Sequence, residues 1–218
     1  MPLMRCTAIG SDDNCGMHQS SGKVVKQQRS TAFMNPFIEF RVSWVHNLTL
    51  DAVRYLPKQD RPRPKYSPSD AEALRKRSND FVRLFARHSS EILRMIPEKT
   101  GFEWRANVIP VYLSDTTPNS YEDPLTVKYS DDPAHMLIDL IHELIHCNIP
   151  SSVQEPLDDK DREQLVEVVN EDICKELGIS SSGYCGFNYR HTKDFPRENF
   201  RTLREFLATA GNLHRLAT

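Results

Sequence analysis

Two hydrophobic periods divide this chain. In "NPFIEFRVSWVHNL" (35–48), Phe37, Glu39 and Arg41 alternate with Ile38, Phe40 and Val42, and Trp44 follows, a period of two that predicts a strand. From Ser69 to Ile96 the spacing becomes three, four and seven, through Leu74, Phe81, Val82, Phe85, Ile92, Leu93 and Ile96. That stripe predicts one long helix, capped by Ser67 or Ser69 with Pro68 in its first turn, and stopped by Pro97 and the "EKTG" turn. Two short β segments are expected at 106–114 and 125–130, separated by the turn-forming "DTTPNSYEDP". A helix should then run from an Asp132 N-cap and Pro133 to about Asn148, before Pro150. Another should begin at Asp158 or Asp159 and stop at Gly178. The pattern predicts an α+β fold in four parts. Residues 1–34 read as a mobile segment and 35–68 as a strand with a proline-rich connector over 57–68. Residues 69–178 form the core, and 179–218 a loop and a last helix over 196–210.

Composition narrows the classes. The chain has 218 residues and is 39% hydrophobic, enough for one domain with a real core and long decorations. Its net charge of −2 gives no global pull toward nucleic acid or membrane. A basic window, 53–88, holds ten Lys and Arg against four acidic residues, and reads first as a solvated helix face after a basic linker. Binding of a phosphate backbone there is the lesser alternative, so no nucleic-acid partner is expected. No apolar run reaches 18 residues and the N-terminus has no continuous apolar stretch, so neither a membrane span nor a secretory signal is expected. The five cysteines are scattered without a CxxC pair, which suits reduced thiols and a cytoplasmic protein.

The chemistry concentrates in "LIDLIHELIHCNIP". Polar groups buried without partners cost free energy, so His142, Glu143 and His146 need compensation. Residues four apart lie one above the other on a helix, so His142 and His146 can direct imidazole nitrogens at one zinc ion. Glu143 is offset about 100° from His142 and can reach a zinc-bound water instead of the metal. A chain with eight histidines meets this HExxH pattern by chance on the order of once in fifty such sequences, which favours a metal clamp over two core histidines. A third protein ligand is required, and no histidine lies between His146 and His191. The next predicted helix offers Glu163, Glu167 and Glu171. Glu167 is the expected ligand, because the smaller Asn170 and Cys174 beyond it leave room for close packing against the metal helix. Glu163 is the alternative, and Glu171 faces solvent. Tyr184, Tyr189 and His191 are weaker candidates to donate to an oxyanion. Asp139 and His135 share the face of His142, where Asp139 could equally support a ligand histidine or make a helix-surface salt bridge or hydrogen bond. Cys147 points away and reads as packing.

His142-Glu143-x-x-His146 followed by Glu167-x-x-Asn170-Glu171 resembles the gluzincin metallopeptidases. The order helix, two β segments, HExxH helix, glutamate helix is similar to the minigluzincins over roughly 69–178. The resemblance implies a small zincin-like core with a short sheet, a backing helix, an active-site helix and a glutamate helix. It further implies a catalytic zinc ion, Glu143 as general base, and a peptide or protein substrate. In that family an acidic residue four positions after the ligand glutamate orients the first histidine: Glu171 if Glu167 is the ligand, Glu167 if it is Glu163. An edge strand there pairs with the substrate backbone, a role that "VYLS" or "LTVKYS" would carry here. The segments 1–56 and 179–218 exceed a minimal core, and a latent or non-proteolytic zinc protein with its cleft covered by them is the second reading.

Overall fold

The computed structural model describes residues 35–55, 66–155, 157–180 and 205. The described residues all belong to one compact unit. Ten elements follow in order: β1 (Phe37–Arg41), α1 (Trp44–Tyr55), α2 (Pro68–Arg77), α3 (Asn79–Thr100), β2 (Val108–Ser114), β3 (Tyr121–Glu122), β4 (Leu125–Lys128), α4 (Pro133–Asn148), α5 (Ser151–Gln154) and α6 (Asp159–Leu177). The described residues thus make a mixed α+β fold with one four-stranded sheet and six helices. The expected mobile segment 1–34, most of the proline-rich connector, and nearly all of 179–218 lie outside them, with Tyr184, Tyr189 and His191.

The sheet has the order β1-β2-β4-β3, with β1, β2 and β4 parallel and β3 antiparallel to β4. Alternation sends Ile38, Ile109, Val111, Leu113, Leu125 and Val127 to one face, where they join the core built by α3, α4 and α6. Tyr112 and Thr126 occupy the other face beneath α1. There His46 stacks on Tyr112 with ring centroids 4.4 Å apart, and its Nε2 lies 3.2 Å from Thr126 Oγ1. Asn47 fastens the same helix by donating to the Leu113 carbonyl at 3.1 Å. Residues 37–55 are therefore built into the sheet and onto its far face, not laid over the helices.

Five expectations change. The strand of 35–48 ends at Arg41, because Ser43 Oγ accepts from the His46 amide at 3.2 Å and starts a helix at Trp44. The helix of 69–96 is two, divided at Ser78, whose hydroxyl back-bonds to the Leu74 carbonyl at 2.9 Å. Pro97 does not stop α3, which runs on to Thr100 and ends at Gly101 with φ 77°. Proline has no N–H for the carbonyl four residues earlier, and Trp104 Nε1 supplies the missing donor to Leu93 O at 2.8 Å. Lastly, "DTTPNSYEDP" contains β3, which covers the outer edge of β4 beyond a cis Asp123–Pro124 bond. β2 lies between β1 and β4, so neither "VYLS" nor "LTVKYS" offers the free edge expected of it. Among the described residues the free edges belong to β1 and β3.

Helix α4 starts where expected, with Asp132 accepting from the Ala134 amide at 2.9 Å. It is apolar on nearly every side and buried to match: Leu137, Leu140, Ile141, Leu144 and Ile145 are inaccessible. Each such side chain contributes about 1.5–3 kcal/mol over an exposed one. Helix α6 likewise keeps its expected bounds, with Asp158 accepting from the Asp161 amide and Gly178 at φ 65° closing it. Among the described residues no helix is long and apolar enough to cross a membrane.

The Trp104–Leu93 bond carries a test. Trp104→Phe is expected to cost about 1–3 kcal/mol in urea unfolding, the penalty of a poorly accessible acceptor left without its donor. Pro97→Ala restores an N–H at the right place, so in the Trp104→Phe background it should recover part of that loss. A double variant no more stable than the single would rule this account out.

Candidate metal centre

α4 and α6 pack together in the core, and their polar residues meet at one point. His142, Glu143 and His146 are all buried on α4. The two imidazoles turn Nε2 toward each other at 3.2 Å, as the four-residue spacing requires. From α6, Glu163 Oε2 lies 3.0 Å from His142 Nε2 and 3.4 Å from His146 Nε2. Among the described residues these three are the group of donors able to hold a metal ion. Donors about 2.0–2.1 Å from a tetrahedral ion stand about 3.3 Å from one another, so the observed 3.0, 3.2 and 3.4 Å fit such a centre.

Glu163, not the expected Glu167, is the carboxylate that meets both Nε2 atoms. Glu167 lies one helical turn further along α6, which carries it past the ring to the opposite nitrogen. There its Oε2 is 3.2 Å from His142 Nδ1. Glu167 is itself held by Asn170 Nδ2 at 3.4 Å, and Asn170 Oδ1 accepts from Cys174 Sγ at 3.5 Å. The row Glu163, Glu167, Asn170, Cys174 is therefore real, with its roles displaced by one turn. Glu171 is exposed, as expected. Asp139 accepts from Ser120 Oγ at 2.9 Å and lies 3.8 Å from His135, the salt-bridge and hydrogen-bond setting expected as its alternative, and it ties the β3–β4 hairpin to α4. Cys147 packs beside β3, its Sγ 3.8 Å from the Glu122 carbonyl, and burial together with Glu143 and Glu122 pushes its thiol up to about 12. One contributor went unanticipated: Gln154 Oε1 lies 3.0 Å from His146 Nδ1. Its only signal in the sequence is a polar side chain in a short turn eight residues after a ligand histidine.

The electrostatics suit a centre that takes up a cation. Burial disfavours charge on His142, but its bonds to Glu163 and Glu167 and the charge of Glu143 prevail, lifting the imidazole to about 10. Burial also opposes the charge on Glu163, yet the His142 and His146 rings beside it hold the carboxyl well below the usual carboxylate range. Glu143 has no such partner among the described residues. Burial pushes its carboxyl up to about 7, against the pull of His142 and His146 and with repulsion from Glu122 and Glu163. A carboxylate poised near neutrality beside three convergent donors has the form of a general base. Compared with known proteins, the chain matches no family model, no curated protein and no solved structure.

The raised His142 value sets a pH dependence for protein stripped of metal by a chelator. An unfolded histidine titrates near about 6.5. With the folded value above it, the stabilisation is complete below about pH 6.5 and is lost as the pH rises toward about 10. Urea unfolding is expected to show a loss on the order of a few kcal/mol across that window. His142→Gln has nothing to titrate there and should give a flatter profile. Equal slopes in the two proteins would remove the assignment.

Proposed function

We propose that this chain is a zinc-dependent metallopeptidase in which His142, His146 and Glu163 hold the metal and Glu143 is the general base. The observation that carries the reading is the convergence of two imidazole nitrogens and a carboxylate oxygen beside a buried Glu143. Two histidines and a glutamate are a donor set of catalytic zinc, with a fourth position left for the reaction. When bound, zinc supplies a Lewis acid that acidifies a water and polarises a carbonyl. Glu143 takes the proton from the attacking water and returns it to the departing amine. Glu167 orients His142 through Nδ1, and Asn170 steadies Glu167. The free edge of β3, which packs against α4, offers main-chain hydrogen bonds to an extended peptide.

This arrangement supports the gluzincin resemblance. A ligand at Glu163 puts Glu167 at the position from which the family's acidic residue orients the first histidine, and the order α3, sheet, α4, α6 is the one a zincin-like core would have. A covered cleft finds no support in residues 37–55, which sit in the sheet and on its far face. In the described part of the window 53–88, nucleic-acid binding is not favoured either. Arg75 and Lys76 pair with Glu72, Arg77 with Asp115, and Arg83 with Asp80, as on a solvated helix face.

Two experiments test the proposal. Purified full chain is expected to carry one zinc by emission spectrometry and to cleave an unstructured protein. Glu143→Gln should keep the metal and lose about 10²–10⁴-fold in kcat/KM. Absence of stoichiometric metal, or equal activity in the variant, would overturn it. The division of labour between the glutamates is tested by metal affinity: Glu163→Gln should abolish stoichiometric zinc, whereas Glu167→Gln should weaken binding about 10–100-fold. The reverse order would return the ligand role to Glu167.

A further inference from the structure

Helix α4 ends against a proline. His146 O would ordinarily accept from the amide four residues on, but position 150 is Pro and has no N–H to give. The short helix α5 returns one side chain to that gap. Gln154 Nε2 donates to His146 O at 2.9 Å and to Ile149 O at 2.9 Å, and its Oε1 lies 3.0 Å from His146 Nδ1.

These three contacts determine where a hydrogen sits. A main-chain carbonyl only accepts, so two carbonyls require the NH₂ end of the amide, and the oxygen must turn to the ring. The opposite orientation would set an amide oxygen against two carbonyl oxygens and an NH₂ against the imidazole. An amide oxygen also only accepts, so His146 Nδ1 must carry the hydrogen. A neutral imidazole has one N–H, which leaves the lone pair on Nε2. Nε2 is the atom that faces His142 Nε2 at 3.2 Å and Glu163 Oε2 at 3.4 Å.

We infer that Gln154 is a positioning residue that holds His146 by main chain and side chain together, locking the ring in the Nδ1–H tautomer and aiming the Nε2 lone pair at the metal position. The inference rests on the metal-centre reading above and gives α5 its role. The two histidines are thereby held differently, His142 by a charged acceptor on α6 and His146 by a neutral amide on α5. That difference keeps a further negative charge out of a centre already lined by Glu143, Glu163 and Glu167.

The test uses the full chain with ¹⁵N-labelled histidine. Long-range proton–nitrogen spectra of the metal-free protein are expected to show His146 Nδ1 as the protonated nitrogen and Nε2 as the bare one. Gln154→Ala should give a mixture of tautomers and, with Zn²⁺ alone in competition with a chromogenic chelator, bind about 10–100-fold more weakly. Gln154→Glu keeps an acceptor for Nδ1 but loses the donor to the two carbonyls, so it should retain the wild-type tautomer at reduced stability in urea, a separation that a merely structural role for the helix end would not produce. A proton on Nε2 in the wild type, or wild-type spectra and affinity in Gln154→Ala, would overturn the inference. Wild-type protein that takes up no zinc would instead defeat the metal reading and the aiming of Nε2 with it, while the spectra would still decide whether Gln154 holds the ring.

Discussion

Two imidazoles turned Nε2 to Nε2 inside a hydrocarbon core form the constraint around which this molecule is arranged. Their Nε2 atoms cannot both present lone pairs at 3.2 Å without a positive charge between or beside them. Every polar residue nearby answers that requirement. Glu163 brings the compensating carboxylate, Glu167 stabilises charge on the first ring, and Gln154 removes ambiguity from the second. Glu143 is the exception. Burial acts on it without a hydrogen-bonded partner among the described residues, and its raised carboxyl is what such a setting produces.

Holding this geometry requires that α4 not slide or fray. Its apolar faces pack against α3, α6 and the β3–β4 hairpin, which sets its position. Its C-terminal turn carries His146 and is closed by side chains from several directions. Asn148 donates to Phe102 O and is bonded by Thr100, while Arg105 donates to Ile149 O at 3.1 Å. Carbonyls at a helix end are otherwise left to water, and water at this end would compete for the same ring. The capping of α4 and the setting of its second histidine thus meet in Gln154.

Much of this could be read from the chain because it rests on local rules. The four-residue spacing of His142 and His146 needs only a helix, and the bounds of α4 and α6 follow from Asp132, Asp158 and Gly178. What escaped depends on distant groups. A helical wheel places Glu163 and Glu167 in one row but says nothing of the height at which α6 crosses α4, and one turn decides which glutamate reaches Nε2. Pro97 reads as a stop because the donor that rescues its turn lies seven residues later, on Trp104. β3 is two residues long and has no periodicity to detect. Gln154 is visible only once Pro150 is known to leave a carbonyl open.

The parallel pairing of β1 with β2 has a consequence for assembly. The contacts of Arg41 with Tyr112 span 71 residues, whereas His142 reaches Glu163 across 21. Closing the longer loop costs more entropy, and such distant pairings slow the search for the native state. The two helices that meet at the polar centre are near neighbours in sequence, and the strand at the far edge joins β2 across a longer span. A chain ordered in this way can shape its chemistry before it finishes its sheet.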